Sequence, residues 1–125
     1  MMIKIIIADK DRYVLQIREL FPEHLYWANS KVREQFQIDI NTTSMLEVDM
    51  EDLDKFMPPL GRLLLAHSNK RPAGIACLKA LAVGIGEIKR MYVRPGNRRK
   101  RLGRKLLIRM LEEVRQIGYK QIISL

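Results

Sequence analysis

Residues 86–125 read GEIKRMYVRPGNRRKRLGRKLLIRMLEEVRQIGYKQIISL. From Glu87 to Val93 the pattern has a period of two, which predicts a strand with Glu87, Lys89, Met91 and Val93 on one face and Ile88, Arg90 and Tyr92 on the other. Pro95, Gly96 and Asn97 stop it. Leu102, Leu106, Leu107, Met110, Leu111, Val114 and Ile117 then recur at steps of three and four, the stripe of a helix packed on a core, while Arg104, Glu112, Glu113, Arg115 and Gln116 fill its other face. Gly118 ends that helix, and Lys120 to Leu125 begins another apolar strand. Strand, helix and strand in this order form a βαβ unit. Its two strands are expected to run parallel, with the loop from Gly96 to Gly103 at the C-terminal edge of the first.

That loop is where the charge lies. From Ile88 to Leu111 there are ten basic residues and no acidic one, whereas the other 101 residues sum to −1, so one window carries the whole excess of a chain with net charge +9. The protein is therefore a neutral domain with a single concentrated anion-seeking site. A loop that leaves a parallel strand and enters a helix offers unpaired backbone N–H groups and the positive end of the helix dipole. Arg98, Arg99, Lys100, Arg101 and Arg104 add five side-chain cations within seven residues, which suits a ligand with more than one phosphate better than a carboxylate. The pattern is neither GxxxxGK[ST] nor GxGxxG.

The segment from Gly86 to Leu125 resembles the acetyl-CoA-binding core of the GNAT N-acetyltransferase superfamily. In that family a strand ending YVxP leads to an [RQ]xxGx[GA] loop and an amphipathic helix that ends in GY; here Tyr92 to Pro95, Arg98, Gly103 and the pair Gly118-Tyr119 fall in register. The resemblance implies an α/β fold of one domain, residues 1–125, with a mixed sheet and helices on both faces. It implies acetyl-CoA as cosubstrate, without a metal, and transfer of its acetyl group to a primary amine of a small molecule or protein. Backbone groups of Met91, Tyr92 and Val93 would hold the pantetheine arm. The loop Arg98, Arg99, Lys100, Arg101, Gly103 and Arg104 would hold the pyrophosphate. Glu87, eleven residues before Arg98, stands where histone-acetylating members carry a general base, which takes a proton from the acceptor ammonium so that a neutral amine attacks the thioester.

Two departures from the family pattern carry expectations of their own. Glycine is usual at the position of Arg101, so an arginine there is expected to keep a negative φ, with its side chain turned away from the pyrophosphate or wrapped around it. The family also continues past this segment with a helix, commonly bearing a tyrosine general acid, and two more strands. The resemblance thus implies a C-terminally truncated fold whose general acid lies beyond Leu125, as a fragment, a truncated gene product or a unit completed by another chain. Ile122, Ile123 and Leu125 would then lack packing partners, and a homo-oligomer is expected.

Upstream, Met2 to Ala8 is a β-branched run suited to a strand buried on both faces, with Asp9 or Asp11 as cap of the following helix. That helix carries Val14, Ile17, Leu20 and Phe21, is kinked or restarted at Pro22, and continues to about Gln37. Asp39 to Thr43 reads as a loop, and Ser44 with Glu47 as a capping box opening a short acidic helix that ends near Phe56. Arg62 to Ala66 and Ala73 to Val83 form a hairpin around the turn from His67 to Pro72.

Composition excludes several classes of function. At 125 residues the chain is one domain, with 47% hydrophobic residues enough for a core. It has no run of roughly 20 apolar residues that would span a membrane and no secretory signal, which places it in the cytoplasm. One cysteine, Cys77, makes no internal disulfide and reads as a small core residue; His24 and His67 stand at no metal-binding spacing and read as surface or turn residues. Tyr26 and Trp27 read as packing of the first helix, the acidic run Glu47, Asp49, Glu51, Asp52 and Asp54 as a solvated face, and Glu87, in a structural role, as a partner of Lys89 or Arg90. Two other functions remain open: a CoA-binding protein without catalysis, and a basic nucleic-acid-binding domain. The second is disfavoured because Tyr92 is the one aromatic near these cations, where base stacking would need several.

Overall fold

The three leucines at 63–65 lie on a strand, so they alternate sides, and they supply two cores at once. The computed structural model describes residues 2–124, apart from the side chain of Arg99; Leu125, expected to lack packing partners, lies outside the described residues. Five strands form one sheet in chain order: β1 (Ile3–Ile7), β2 (Arg62–Ser68), β3 (Arg71–Ala82), β4 (Ile85–Val93) and β5 (Gln121–Ser124). All neighbours are antiparallel except β4 and β5, which are parallel because a helix, α3 (Leu102–Ile117), carries the chain back between them. α1 (Val14–Phe36), α2 (Thr42–Glu51) and a 3-10 turn (Leu53–Phe56) cover the opposite face.

On the α1 side Leu63, Leu65, Ile75, Cys77 and Tyr92 meet Ile17, Leu20, Phe21 and Phe56. On the α3 side Leu64, Ala66, Ala76, Leu78 and Ile88 meet Leu102, Leu106 and Met110. A fully buried leucine is stabilised by roughly 2 kcal/mol relative to an exposed one, so these two layers fix the sheet between its helices. The β2–β3 hairpin turns at Asn69 and Lys70, both left-handed (φ 51° and 69°), the conformation that matches the twist of paired strands.

Several local expectations are corrected. β1 is an edge strand, and its residues are half-buried or exposed rather than buried on both faces. The Asp9 carboxylate accepts from the N–H groups of Asp11 and Arg12 in a turn, and α1 starts only after Tyr13. α1 runs through Pro22 without interruption, because Leu20 and Phe21 on one side and Leu25 on the other are buried against the sheet. α2 opens one turn earlier than expected: the Asn41 side chain accepts from Ser44 N–H, so Ser44 is inside the helix rather than its cap. On α3 the buried stripe is narrower, with Leu107 and Leu111 exposed. Glu113, expected on the outer face, is buried between Arg62 (2.8 Å) and Arg109 (3.3 Å).

The correction with most consequence is in β4. Tyr92 pairs with Ile75 and Lys89 with Cys77, so two steps on β3 face three on β4. The surplus is a β-bulge at Arg90, whose φ is +54°. It breaks the expected alternation: Glu87 and Lys89 stand opposite Lys79 and Cys77 on the α1 side, whereas Met91 and Val93 pack on the α3 side with Ile88.

Candidate functional site

Two places on β4 and its continuation hold the residues of the candidate site. Past Val93 the chain makes a 3-10 turn (Pro95–Lys100) and enters α3 through Arg101. Arg101 is in the left-handed region, φ +56° and ψ 25°, and no side chain caps the helix. The expectation of a negative φ at Arg101 is therefore wrong: turning from the 3-10 turn into α3 requires the left-handed conformation, and a Cβ residue adopts it at roughly 1–2 kcal/mol. The first bond of the helix runs from Lys105 N–H to the Arg101 carbonyl, so the N–H groups of Leu102, Gly103 and Arg104 have no intrahelical acceptor, and the first turn holds no acidic residue. A Cβ placed on Gly103 would meet only Val93 Cγ2, at 3.7 Å, so the protein itself leaves open space above this turn.

The basic window is not one patch. Arg94 binds Glu19 (2.6 Å), Glu23 (3.1 Å) and the Pro72 carbonyl, Arg90 binds Asp49, and Arg109 binds Glu113, so these three hold elements together. Among the described residues no ion pair engages Arg98, Lys100, Arg101, Arg104 or Lys105. Arg98 turns back over the loop, its Nε donating to the Val93 carbonyl at 2.9 Å, and Lys100 donates to Asn97 at 3.2 Å. The Arg99 side chain lies outside the described residues. Tyr92 keeps its side chain inside: its hydroxyl donates to Glu23 at 2.8 Å, and burial, followed by that carboxylate, pushes it up to about 12. Only its backbone faces the edge of β4. β5 pairs with β4 from Ile85 to Ile88, so among the described residues the outer edge from Lys89 to Val93 has no strand beside it.

Beside that edge lies a cleft of about 300 Å³ lined by His24, Met45, Glu87, Lys89, Arg90 and Met91, together with Ile88 and Ser124. Glu87 is 7% exposed there. Its partner is Lys79 on β3, with Nζ at 3.8 Å, instead of the expected Lys89 or Arg90, since Lys79 is its cross-strand neighbour. Asp49, expected on a solvated face, is 2% exposed, with Lys55 on Oδ1 (3.1 Å) and Arg90 on Oδ2 (2.6 Å). Burial alone would raise its pKa, but the two cations reverse this and hold it below the usual carboxylate value.

His24, read from the sequence as a surface or turn residue, lines the same cleft. His24 is stacked between Trp27 and Tyr92, at centroid distances of 6.4 and 5.4 Å. Its Nδ1 is buried without a partner, and burial, then Arg90, lower its pKa to about 4, so it is neutral at pH 7. Trp27 is over a third exposed rather than packed inside, and Tyr26 is more exposed still. The signal in the sequence was helical spacing: Leu20, His24 and Trp27 lie on one side of α1. Cys77 is buried in the core, where burial raises its thiol well above the ordinary value. Among the described residues no group of three or more His, Cys, Asp or Glu could hold a metal ion, and no helix is long and apolar enough to cross a membrane.

Solved structures with this arrangement are acetyltransferases. The chain superposes on an acetyltransferase from Streptococcus agalactiae with a TM-score of 0.68 at 18% identity, covering 98% of this chain and 71% of that one. YncA of Salmonella typhimurium, solved with its cofactor acetyl-CoA, gives 0.66 at 21% identity, covering 99% and 69%. The PaiA N-acetyltransferase of Thermoplasma acidophilum, in complex with coenzyme A, gives 0.63 at 19%, covering 95% and 76%. No curated protein matches the chain in sequence. At these identities the likeness establishes the fold. The sequence pattern of the acetyltransferase (GNAT) family, however, matches residues 16–125, nearly the whole length. The chain belongs to the acetyltransferase (GNAT) family.

Proposed function

We propose that the protein transfers the acetyl group of acetyl-CoA to a primary amine, with Glu87 as the base. The observation that carries this reading is the uncapped start of α3, whose free N–H groups at Leu102, Gly103 and Arg104 open onto empty space beside unpaired cations. These groups fit a pyrophosphate, which accepts several hydrogen bonds and offsets the charge of Arg101 and Arg104. The pantetheine arm then runs along the open edge of β4 at Met91, Tyr92 and Val93 and brings the thioester toward the cleft that holds Glu87. Arg98 contributes by shaping the loop, since its side chain is bonded to Val93 O; Arg99 and Lys100 contribute charge.

In the cleft the Glu87 carboxylate takes a proton from the acceptor ammonium, directly or through water. The neutral amine attacks the thioester carbonyl and a C–N bond forms, the C–S bond breaks, and the proton shed by the new amide nitrogen balances protonation of the leaving CoA thiolate. The same reading has a cytoplasmic chain acting on a small-molecule or protein amine, as a single domain over residues 1–125.

The test is release of CoA thiol from acetyl-CoA in the presence of a panel of amines. Glu87→Gln is expected to lower the rate by about a hundredfold while CoA affinity is unchanged. Equal loss of both would assign Glu87 to structure, and CoA binding without transfer to any amine would leave a CoA-binding protein.

A further inference from the structure

Arg90 is held by Asp49 in an unusual way. An arginine and a carboxylate commonly pair through two parallel hydrogen bonds. Here the Asp49 oxygens are divided, Oδ1 accepting from Lys55 and Oδ2 from Arg90 Nε, so the guanidinium is gripped by one edge. Arg90 itself lines the cleft beside Glu87, and none of its nitrogens is among the buried side-chain atoms left without a partner. The side chain is 11% exposed, and the bulge that places it there, with φ +54°, is set by the strand rather than by solvent.

The charges around it do not balance. The cleft wall itself holds Lys89 and Arg90 against Glu87, with His24 neutral at pH 7, an excess of one positive charge; behind it Lys79 reaches Glu87, and Lys55 shares Asp49 with Arg90. Burial, and after it the neighbouring Arg90, lower the Lys89 pKa. A half-buried wall of this kind repels a simple ammonium and attracts an anion.

We infer that the acceptor is a small amine that also carries an anionic group, a carboxylate or a phosphate ester, and that the Arg90 guanidinium binds this group while the amine faces Glu87. This deepens the acetyltransfer reading and rests on it for the amine. Glu87 and Arg90 are three residues apart on one strand, so the two ends of the acceptor are within about 10 Å. The cleft, at about 300 Å³, is at the small end of ligand sites and takes a molecule of amino-acid size. The positive wall has a second effect: it lowers the pKa of the bound ammonium, which eases removal of its proton by Glu87.

The experiment is calorimetric titration of the 125-residue chain, with and without CoA, using two matched pairs: leucine against leucinamide for the carboxylate, and phosphoethanolamine against ethanolamine for the phosphate. The anionic member of one pair is expected to bind about tenfold or more tightly than its neutral or cationic counterpart, the effect of a charge-assisted hydrogen bond. Which pair shows it identifies the anion. Arg90→Gln should abolish the preference, and Arg90→Lys, which keeps a cation beside Asp49, should retain part of it and serves if the glutamine variant does not fold. Equal binding within both pairs, no binding of either anionic probe, or a preference that survives Arg90→Gln overturns the inference. If the anion preference stands but CoA does not bind, the acetyltransfer reading falls and the anion site remains.

Discussion

The guanidinium carbon of Arg98 lies 5.0 Å from the centre of the Trp27 ring and 5.7 Å from that of Tyr92, while its Nε holds the Val93 carbonyl. The loop before α3 and α1 are thus joined through one cation on two aromatic faces. Trp27 is the one tryptophan of the chain, so its fluorescence reports on that loop. Addition of CoA is expected to change the emission saturably and to raise the melting temperature, since CoA meets these groups only in the folded state. ATP or inorganic phosphate at the same concentration should do less. Equal effects from all three would remove the case for a specific CoA site.

Arg101 tests the start of α3. Because its φ is +56°, Arg101→Gly relieves a strained conformation, and stability is expected to rise by about 1 kcal/mol, less whatever the glycine adds to the freedom of the unfolded chain. CoA affinity should be unchanged or tighter if the backbone N–H groups carry the contact, and weaker if the Arg101 side chain does. Urea denaturation and a CoA titration on the same variant read both. Destabilisation by glycine would show that the left-handed conformation is not strained there.

His24 gives the fold a pH dependence with a definite sign. In the unfolded chain it takes up a proton near 6.5; in the folded chain burial and Arg90 delay this to about 4. Between those values the unfolded state holds more protons, so stability falls as pH is lowered through the window. His67, whose pKa is also lowered by burial and by Lys4, acts in the same direction. His24→Gln is expected to flatten the dependence of the urea midpoint on pH, with His67→Gln as the comparison. Parallel curves for wild type and His24→Gln would place His24 in a more open setting than its neighbours Trp27 and Tyr92 imply.

The outer edges of β1 and β5 are unpaired among the described residues, and Ile7 and Ile123 on them are each 40% exposed. Such edges favour pairing between copies. Sedimentation is expected to give a mass above 14.6 kDa that decreases on dilution; a constant monomer mass at high concentration would count against self-association.

What the sequence made legible was the part governed by local pattern. The βαβ unit from Glu87 onward was readable because α3 has a clear apolar stripe and Gly118, and the hairpin because Asn69 and Lys70 sit between apolar runs. The ten cations marked the loop but not their division, since Arg90, Arg94 and Arg109 find their carboxylates 41, 71 and 4 residues away and only the last is a local pairing. Asp49 illustrates the same limit: its neighbours in sequence are acidic and solvated, and its burial comes from β4 and the 3-10 turn. His24 and Trp27 come against Tyr92 only when α1 packs across β4. The bulge at Arg90 left no glycine to announce it, which is why a strict period of two put Glu87 and Lys89 on one face with Met91 and Val93.

That bulge has a bearing on how the strand can vary in length. Between Lys89 and Tyr92, β4 contains one residue more than its pairing with β3 uses. With Arg90 deleted, Lys89, Met91, Tyr92 and Val93 would alternate without interruption on the sides they already occupy, so the sheet can be assembled without it. Its place is explained by what it reaches, Asp49 and the cleft, rather than by strand pairing. A relative one residue shorter at this point would keep the architecture and the open edge of β4, and would lose the Arg90 cation from the cleft in a single deletion.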